Sequence, residues 1–401
     1  MKRPIALIVP AAIIAVALLC GAGSPLRASD KQTVPLVFHH ESSEEPRVEQ
    51  LLREFDFSSQ VSAGLTEFQE MALLKNWVYS HIPYDLNYAD SELRDSIRIL
   101  RRAAKGEAFI CTTISTVFLQ TAVSMGWTPR QIILRKPTGD EHAGNDIWSN
   151  QYRKWVYIDP TWNIHVERRG VPLSISEIRR EWLKNNGHDI VYVFGAGKNE
   201  KRYTTADLPV RRKDSKIWSL IPLDRSWLSY SNEIAVLGRN DFFSCCNPNG
   251  ANAWDPMYVM IMKRSWKDRF KTFFSKSSGY SSTALFYDLN RVDIRIEGKG
   301  DGKQGPGRKA VEVRLNAFGG NAYTPNFMEY LITLNGSDWK VTGDRFTWKL
   351  EPGENVVRAR VMNRFGVVGP IAEKRLSIEG KKKTESTRRK VRRGGKRRRT
   401  K

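Results

Sequence analysis

Cysteine is scarce, with four among 401 residues, and Cys20 lies in an N-terminal apolar run. Cys111, Cys245 and Cys246 remain, which is not the even, spaced set of a disulfide framework. No Cys and His cluster has zinc-ligand spacing, and no glycine-rich phosphate loop follows a strand. No metal or cofactor is therefore expected. Long apolar runs are lacking too: the stretch from Ile5 to Cys20 falls short of the roughly 20 residues that span a bilayer. Lys2 and Arg3 precede it, and Gly21, Ala22, Gly23, Ser24 and Ala28 follow it. That charged, apolar and small-residue order marks residues 1–28 as a secretory signal peptide, with retention as an anchor or lipidation at Cys20 as alternatives. The expected location is secreted, periplasmic or cell-envelope.

Acids are outnumbered, 43 against 65 Lys and Arg, for a formal charge of +22. The excess is local, since Lys381–Lys401 carries thirteen basic residues and one Glu, or +12 of the total. Residues 379–401 contain one sizeable apolar side chain, Val391, too little to offset the entropy of ordering, so this tail is expected to be disordered. Its partner would be an anionic envelope polymer or a nucleic acid, held by salt-sensitive contacts.

The chain is too long for one ordinary core. Residues 29–60 are polar and poorly periodic and read as a linker, with one short helix around Val48–Phe55. Helical spacing of Phe68, Met71, Ala72, Leu74, Trp77 and Val78 predicts a helix over Thr66–His81, closed by Pro83. A second helix is expected over Ser91–Ala104. Ser174 with Glu177 is a capping box that opens a third, reaching Asn185. Residues 201–288 are aromatic-rich and read as a β-rich extension. Over residues 289–378 alternating runs are broken by Asn-Gly, Pro-Gly and Phe-Gly turns, the pattern of a small Ig-like or fibronectin-like β-sandwich. Phe346, Trp348 and Leu350 are expected in its core.

Between these lies the segment GEAFICTTISTVFLQTAVSMGW, residues 106–127. Ile110, Ile114, Val117, Phe118 and Met125 recur at helical spacing, Leu119 and Val123 widen the apolar face, and Gly126 is a natural stop. Cys111 then sits in the first turn, where unpaired N–H groups and the helix dipole favour a thiolate. After Gly126 the pattern changes to strands: Gln131–Leu134, then His142–Trp148 and Lys154–Ile158 joined by a turn. If that turn is Ser149–Tyr152, with Trp148 opposite Arg153, His142 falls directly opposite Asp159 on one sheet face. Thiolate, imidazole and carboxylate are the groups an acyl transfer needs, as nucleophile, general base and acid, and orienting acid.

The sequence GEAFICTTISTVFLQTAVSMGWTPRQIIL followed by EHAGNDIWSNQYRKWVYIDPTWNIH resembles the transglutaminase-like superfamily of papain-type cysteine enzymes, including its bacterial members. The resemblance covers about Phe68–Asn185. It implies an α+β fold, a papain-like core over residues 61–200 with helices packed on an antiparallel sheet, and the triad Cys111, His142 and Asp159. One departure is that Ala143 and Gly144 follow the histidine where many members have Ala-Trp. The backbone N–H of Cys111 is one oxyanion donor by position. Trp77 and Asn87 are candidates for the second, and Asn163 and His165 are candidates for lining the site. The implied activity is acyl transfer at amide bonds of a protein or peptide substrate, hydrolysis ahead of transamidation. The competing reading is an inert envelope-binding protein that holds anionic polymers through its sandwich and tail. Nothing in the sequence fixes an oligomeric state.

Overall fold

The computed structural model describes residues 38–61, 64–86, 94–135, 141–207, 233–244, 259–264, 270–274, 288–297, 310–318 and 323–378. The expected signal peptide, the Cys245–Cys246 pair, Asn87 and the basic tail lie outside them. Within the described residues the fold mixes helices with antiparallel sheet.

The helices are α1 (Pro46–Glu54), α2 (Glu67–His81), α3 (Ser96–Ala103), α4 (Cys111–Ser124) and α5 (Ile175–Asn185). Their starts follow local chemistry. Thr66 and Gln69 form a reciprocal capping box on α2, Asp95 accepts from the Ile97 and Arg98 N–H groups of α3, and Ser174 and Glu177 cap α5. Helix α4 is the exception, because Ile110 at its N-cap offers no side-chain acceptor.

The strands of the first sheet are β1 (Pro129–Arg135), β2 (Glu141–Ser149), β3 (Lys154–Asp159), β4 (Ile164–Arg168), β5 (Val171–Pro172), β6 (Val191–Phe194), β7 (Lys201–Thr204), β8 (Glu233–Leu237), β9 (Val259–Arg264) and β10 (Phe270–Phe274). Among the described residues they run in the order β10-β9-β8-β1-β2-β3-β4-β6-β7, with β5 beside β4. Because side chains alternate across a strand, Val156 and Ile158 of β3 pack with α2, α3 and α4, while Tyr157 packs with α5. Both faces of the sheet are covered. On the α5 face, buried Arg130 meets Asp146 at 2.9 Å and lies over the Trp155 ring at 3.9 Å, and Asp146 also accepts from the Ile175 N–H at the start of α5.

Of residues 201–288, read as a β-rich extension, the described strands β7 to β10 continue the same sheet, and β8 pairs directly with β1. The segment before residue 60 is not a bare linker: Val48, Leu51 and Phe57 are buried, with Leu51 and Phe57 in the core shared with α2 and α4. The polar residues of that segment conceal its few apolar anchors.

The second group of strands is β11 (Asp293–Glu297), β12 (Ala310–Asn316), β13 (Phe327–Leu334), β14 (Lys340–Thr342), β15 (Arg345–Lys349), β16 (Gly353–Asn363) and β17 (Ala372–Ile378). They form two sheets, β11-β12-β15 and β14-β13-β16-β17, around one core. Trp348 and Leu350 are buried in it, and Phe346 packs against it half-buried. The loop after β16 docks on the end of α4: Asn363 Nδ2 donates to the Gly126 carbonyl at 2.9 Å, and Phe365 and Val367 fill the space beside Gly126. Arg153 donates to the Ile371 carbonyl at 2.9 Å, and Asn290 to Asn150 Oδ1 at 2.9 Å.

Candidate active site

Cys111 is the first residue of α4 and is half-buried. No side chain caps the helix, so the sulfur sits at the positive end of the helix dipole without a capping side chain beside it. His142 and Asp159 come from the neighbouring strands β2 and β3. The imidazole Nε2 lies 2.6 Å from Asp159 Oδ2, and both side chains are buried, 6% and 1% exposed. With Nε2 engaged, the contact of the ring with Cys111 falls to Nδ1.

The hairpin register differs from the one expected. Ser149 pairs with Lys154 and Asn145 with Ile158, so the turn is Asn150–Arg153 and His142 is not directly opposite Asp159. The displacement is two residues in pairing, which preserves the face because side chains alternate with period two. His142 reaches Asp159 diagonally, past the end of the ladder. The turn is set from outside the hairpin: the Glu67 carboxylate at the start of α2 accepts from Ser149 Oγ, Asn150 Nδ2 and the Gln151 N–H at 2.8–2.9 Å.

Asp159 is held on all sides. Its Oδ1 accepts from the Thr161 and Trp162 N–H groups at 3.0 and 3.2 Å, and the Tyr157 hydroxyl donates to Oδ2 at 3.3 Å. The Trp162 ring stacks on His142, with centroids 5.8 Å apart and planes 23° off parallel, and Tyr84 meets the other side of Trp162 edge-on. These neighbours set the charges. Burial works against the imidazolium, but the Asp159 carboxylate and the Cys111 sulfur override it and raise His142 to about 10. Burial likewise pushes the Cys111 thiol up, yet the His142 hydrogen bond and charge, with the Ala143 N–H, bring it below the ordinary thiol value. Both directions favour a thiolate–imidazolium pair, a state able to attack a carbonyl and then protonate a leaving amine.

A stability consequence follows from the sign of the His142 shift. A group raised in the folded chain from 6.5 to about 10 stabilises the fold fully below pH 6.5 and ceases to do so as pH rises through 10. The depressed Cys111 thiol offsets this while the unfolded thiol stays protonated, because the pair then holds one proton in either state. Urea unfolding of the wild type should therefore lose stability mainly above about pH 8.5, and Cys111→Ala, which removes the offset, from about pH 6.5.

Gly144 is closely packed by Tyr157. A Cβ at Gly144 would lie 2.4 Å from the Tyr157 hydroxyl and 2.8 Å from its ring. Gly144→Ala should cost about 1–3 kcal/mol by overpacking, and it should slow Cys111 alkylation because Tyr157 is an Asp159 partner. Thermal melting with iodoacetamide kinetics checks both.

The remaining candidates fall elsewhere. Trp77 is buried against Phe57 and stacks on His81 with centroids 4.3 Å apart. Asn163 and His165 belong to a polar cluster around Lys75. Sequence reading missed Tyr157, Trp162 and Lys75. Lys75 had a signal: it is four residues after Met71 and three before Val78, on the apolar stripe of α2. Among the described residues no three His, Cys, Asp or Glu side chains cluster as metal ligands would, and no helix is long and apolar enough to cross a membrane.

No family model matches the chain, and no curated protein does. Among solved structures it is similar to one from Cytophaga hutchinsonii, provisionally described as a cysteine protease, at 14% identity and a TM-score of 0.24. The similarity covers 45% of this chain and 56% of that one, so the chain spans little more than half the length of that protein.

Proposed function

We propose that the chain is a cysteine enzyme of the transglutaminase-like type, with Cys111 as nucleophile, His142 as general base and acid, and Asp159 as orienting acid. The observation that carries this reading is the short His142–Asp159 contact beside a thiol at an uncapped helix start. The reaction is acyl transfer. The Cys111 thiolate adds to an amide carbonyl, the oxyanion meets the Cys111 N–H, and imidazolium protonates the departing amine to leave a thioester. Water or an amine, deprotonated by His142, then resolves the thioester. Hydrolysis of a protein or peptide amide is the favoured outcome over transamidation.

In this reading residues 61–200 are the transglutaminase-like core and residues 289–378 an Ig-like module. Residues 1–28 direct the chain to the envelope or beyond, and the basic tail retains it on an anionic polymer. The decisive experiment is a peptide-library cleavage screen run beside an amine-incorporation screen, with wild type against Cys111→Ala. Activity confined to the wild type supports the reading, and equal traces overturn it in favour of an inert binding protein.

The nucleophile has its own test. Iodoacetamide alkylation of Cys111 should reach its plateau at lower pH than a free thiol of pKa near 8.5. A rate that climbs steadily through that pH would show no activated pair.

A further inference from the structure

Lys75 lies in the middle of α2 with no exposed surface, on the same stripe as Met71, Leu74 and Val78. Its Nζ meets the Gly195 carbonyl at 2.9 Å, the Asn163 carbonyl at 3.1 Å and His165 Nδ1 at 3.3 Å. The three protons of an ammonium match these three acceptors, while burial lowers Lys75 to about 7, offset in part by Glu200, Asp159 and Glu167. His165 must then carry its own proton on Nε2, and that nitrogen faces Glu167 Oε1 at 3.0 Å, with Arg202 paired to the other carboxylate oxygen. The charged and titratable groups around Lys75 are therefore His165 and Glu167 of β4, Glu200 and Arg202 at β7, and Asp159 at the end of β3. Burial, then the Lys75 charge, lowers His165 to about 4, in accord with a neutral ring accepting from Lys75.

The carbonyl that Lys75 holds is the last of the turn Pro160–Asn163. Asn163 takes a left-handed conformation, φ +55°, and its Nδ2 donates to Asn76 Oδ1 at 2.8 Å. That turn supplies both N–H groups on Asp159 Oδ1 and the Trp162 ring that covers His142. A methionine would fill the same space without taking a charge out of water, so packing alone does not account for a lysine here.

We propose that Lys75 is a positioning residue for the Cys111–His142 pair, its buried ammonium anchoring the Pro160–Asn163 turn and thereby the groups that hold Asp159 and His142. The inference rests on the triad reading above and adds to it a dependence on α2. Its test is the pH dependence of iodoacetamide alkylation at Cys111 in the full chain. Lys75→Met should raise the midpoint by about one unit, equivalent to about tenfold slower reaction on the acid limb. Leu74→Ala, a cavity variant on the same helix, should melt earlier yet keep the wild-type midpoint. If Lys75→Met does not fold, Lys75→Gln, whose amide still donates to one carbonyl, takes its place under the same criterion with a smaller upward shift. An unshifted midpoint in the folded variant overturns the inference and leaves the triad standing. A wild-type midpoint at the free-thiol value overturns both.

Discussion

Asp159→Asn is expected to slow acylation at Cys111 by about four orders of magnitude, as the equivalent change does in the worked serine-protease case, with the fold retained. The amide oxygen would keep the Thr161 and Trp162 N–H groups that Asp159 Oδ1 now accepts. The amide NH2 would then take the place of Oδ2, facing His142 Nε2. A donor there requires Nε2 to accept, so the ring proton moves to Nδ1, the nitrogen facing Cys111. An imidazole protonated at Nδ1 has no lone pair for the thiol proton, and without the carboxylate the imidazolium loses the charge that holds it near 10. Both effects remove the thiolate. Single-turnover acylation measures the loss, and a melt unchanged within a few degrees separates it from unfolding. A rate within tenfold of wild type would take Asp159 out of the reaction.

Much of this arrangement is legible in the residues. Helical spacing locates α2 and α4, the capping box of Ser174 and Glu177 locates the start of α5, and the strand pattern locates β2 and β3. What the sequence does not carry is contact over long separations. The hairpin turn is placed by Glu67, more than eighty residues upstream, so turn length alone gives a register two residues off. Tyr157 reads as one more strand aromatic until Gly144, diagonal to it across the hairpin, is seen to leave room for its ring. Lys75 reads as a charge on a helix face, whereas the carbonyls of Asn163 and Gly195 make it an internal anchor. The strands β8 to β10 are the hardest case, since nothing local says that β8 returns to pair with β1.

Gly126→Ala, just past the end of the helix that carries Cys111, should be strongly destabilising. Gly126 has φ +81°, and a Cβ there would approach Phe365 Cβ to 2.3 Å, Phe365 Cγ to 2.8 Å and Val367 Cγ2 to 3.1 Å. The left-handed backbone costs an L residue about 1–2 kcal/mol, and the overlap adds about 1–3 kcal/mol. The overlap cannot be relieved by moving a flexible tip, because the nearest atom is a Cβ close to the backbone of the docking loop. Relief means lifting that loop, which breaks the Asn363 hydrogen bond to the Gly126 carbonyl. The double variant Gly126→Ala with Phe365→Ala separates the two contributions: truncating Phe365 to its own Cβ removes the Cγ clash and frees the loop to shift, so part of the loss should return while the backbone cost stays. Urea denaturation of the four proteins of that cycle gives the coupling. A Gly126→Ala cost no larger than the backbone part of about 1–2 kcal/mol would mean that the loop after β16 does not dock there. The measurement also bears on the site, because α4 is 14 residues long, about 20 Å from the docked end to Cys111. A helix freed at one end pivots at the other, so alkylation of Cys111 should slow in Gly126→Ala and recover in the double variant together with stability.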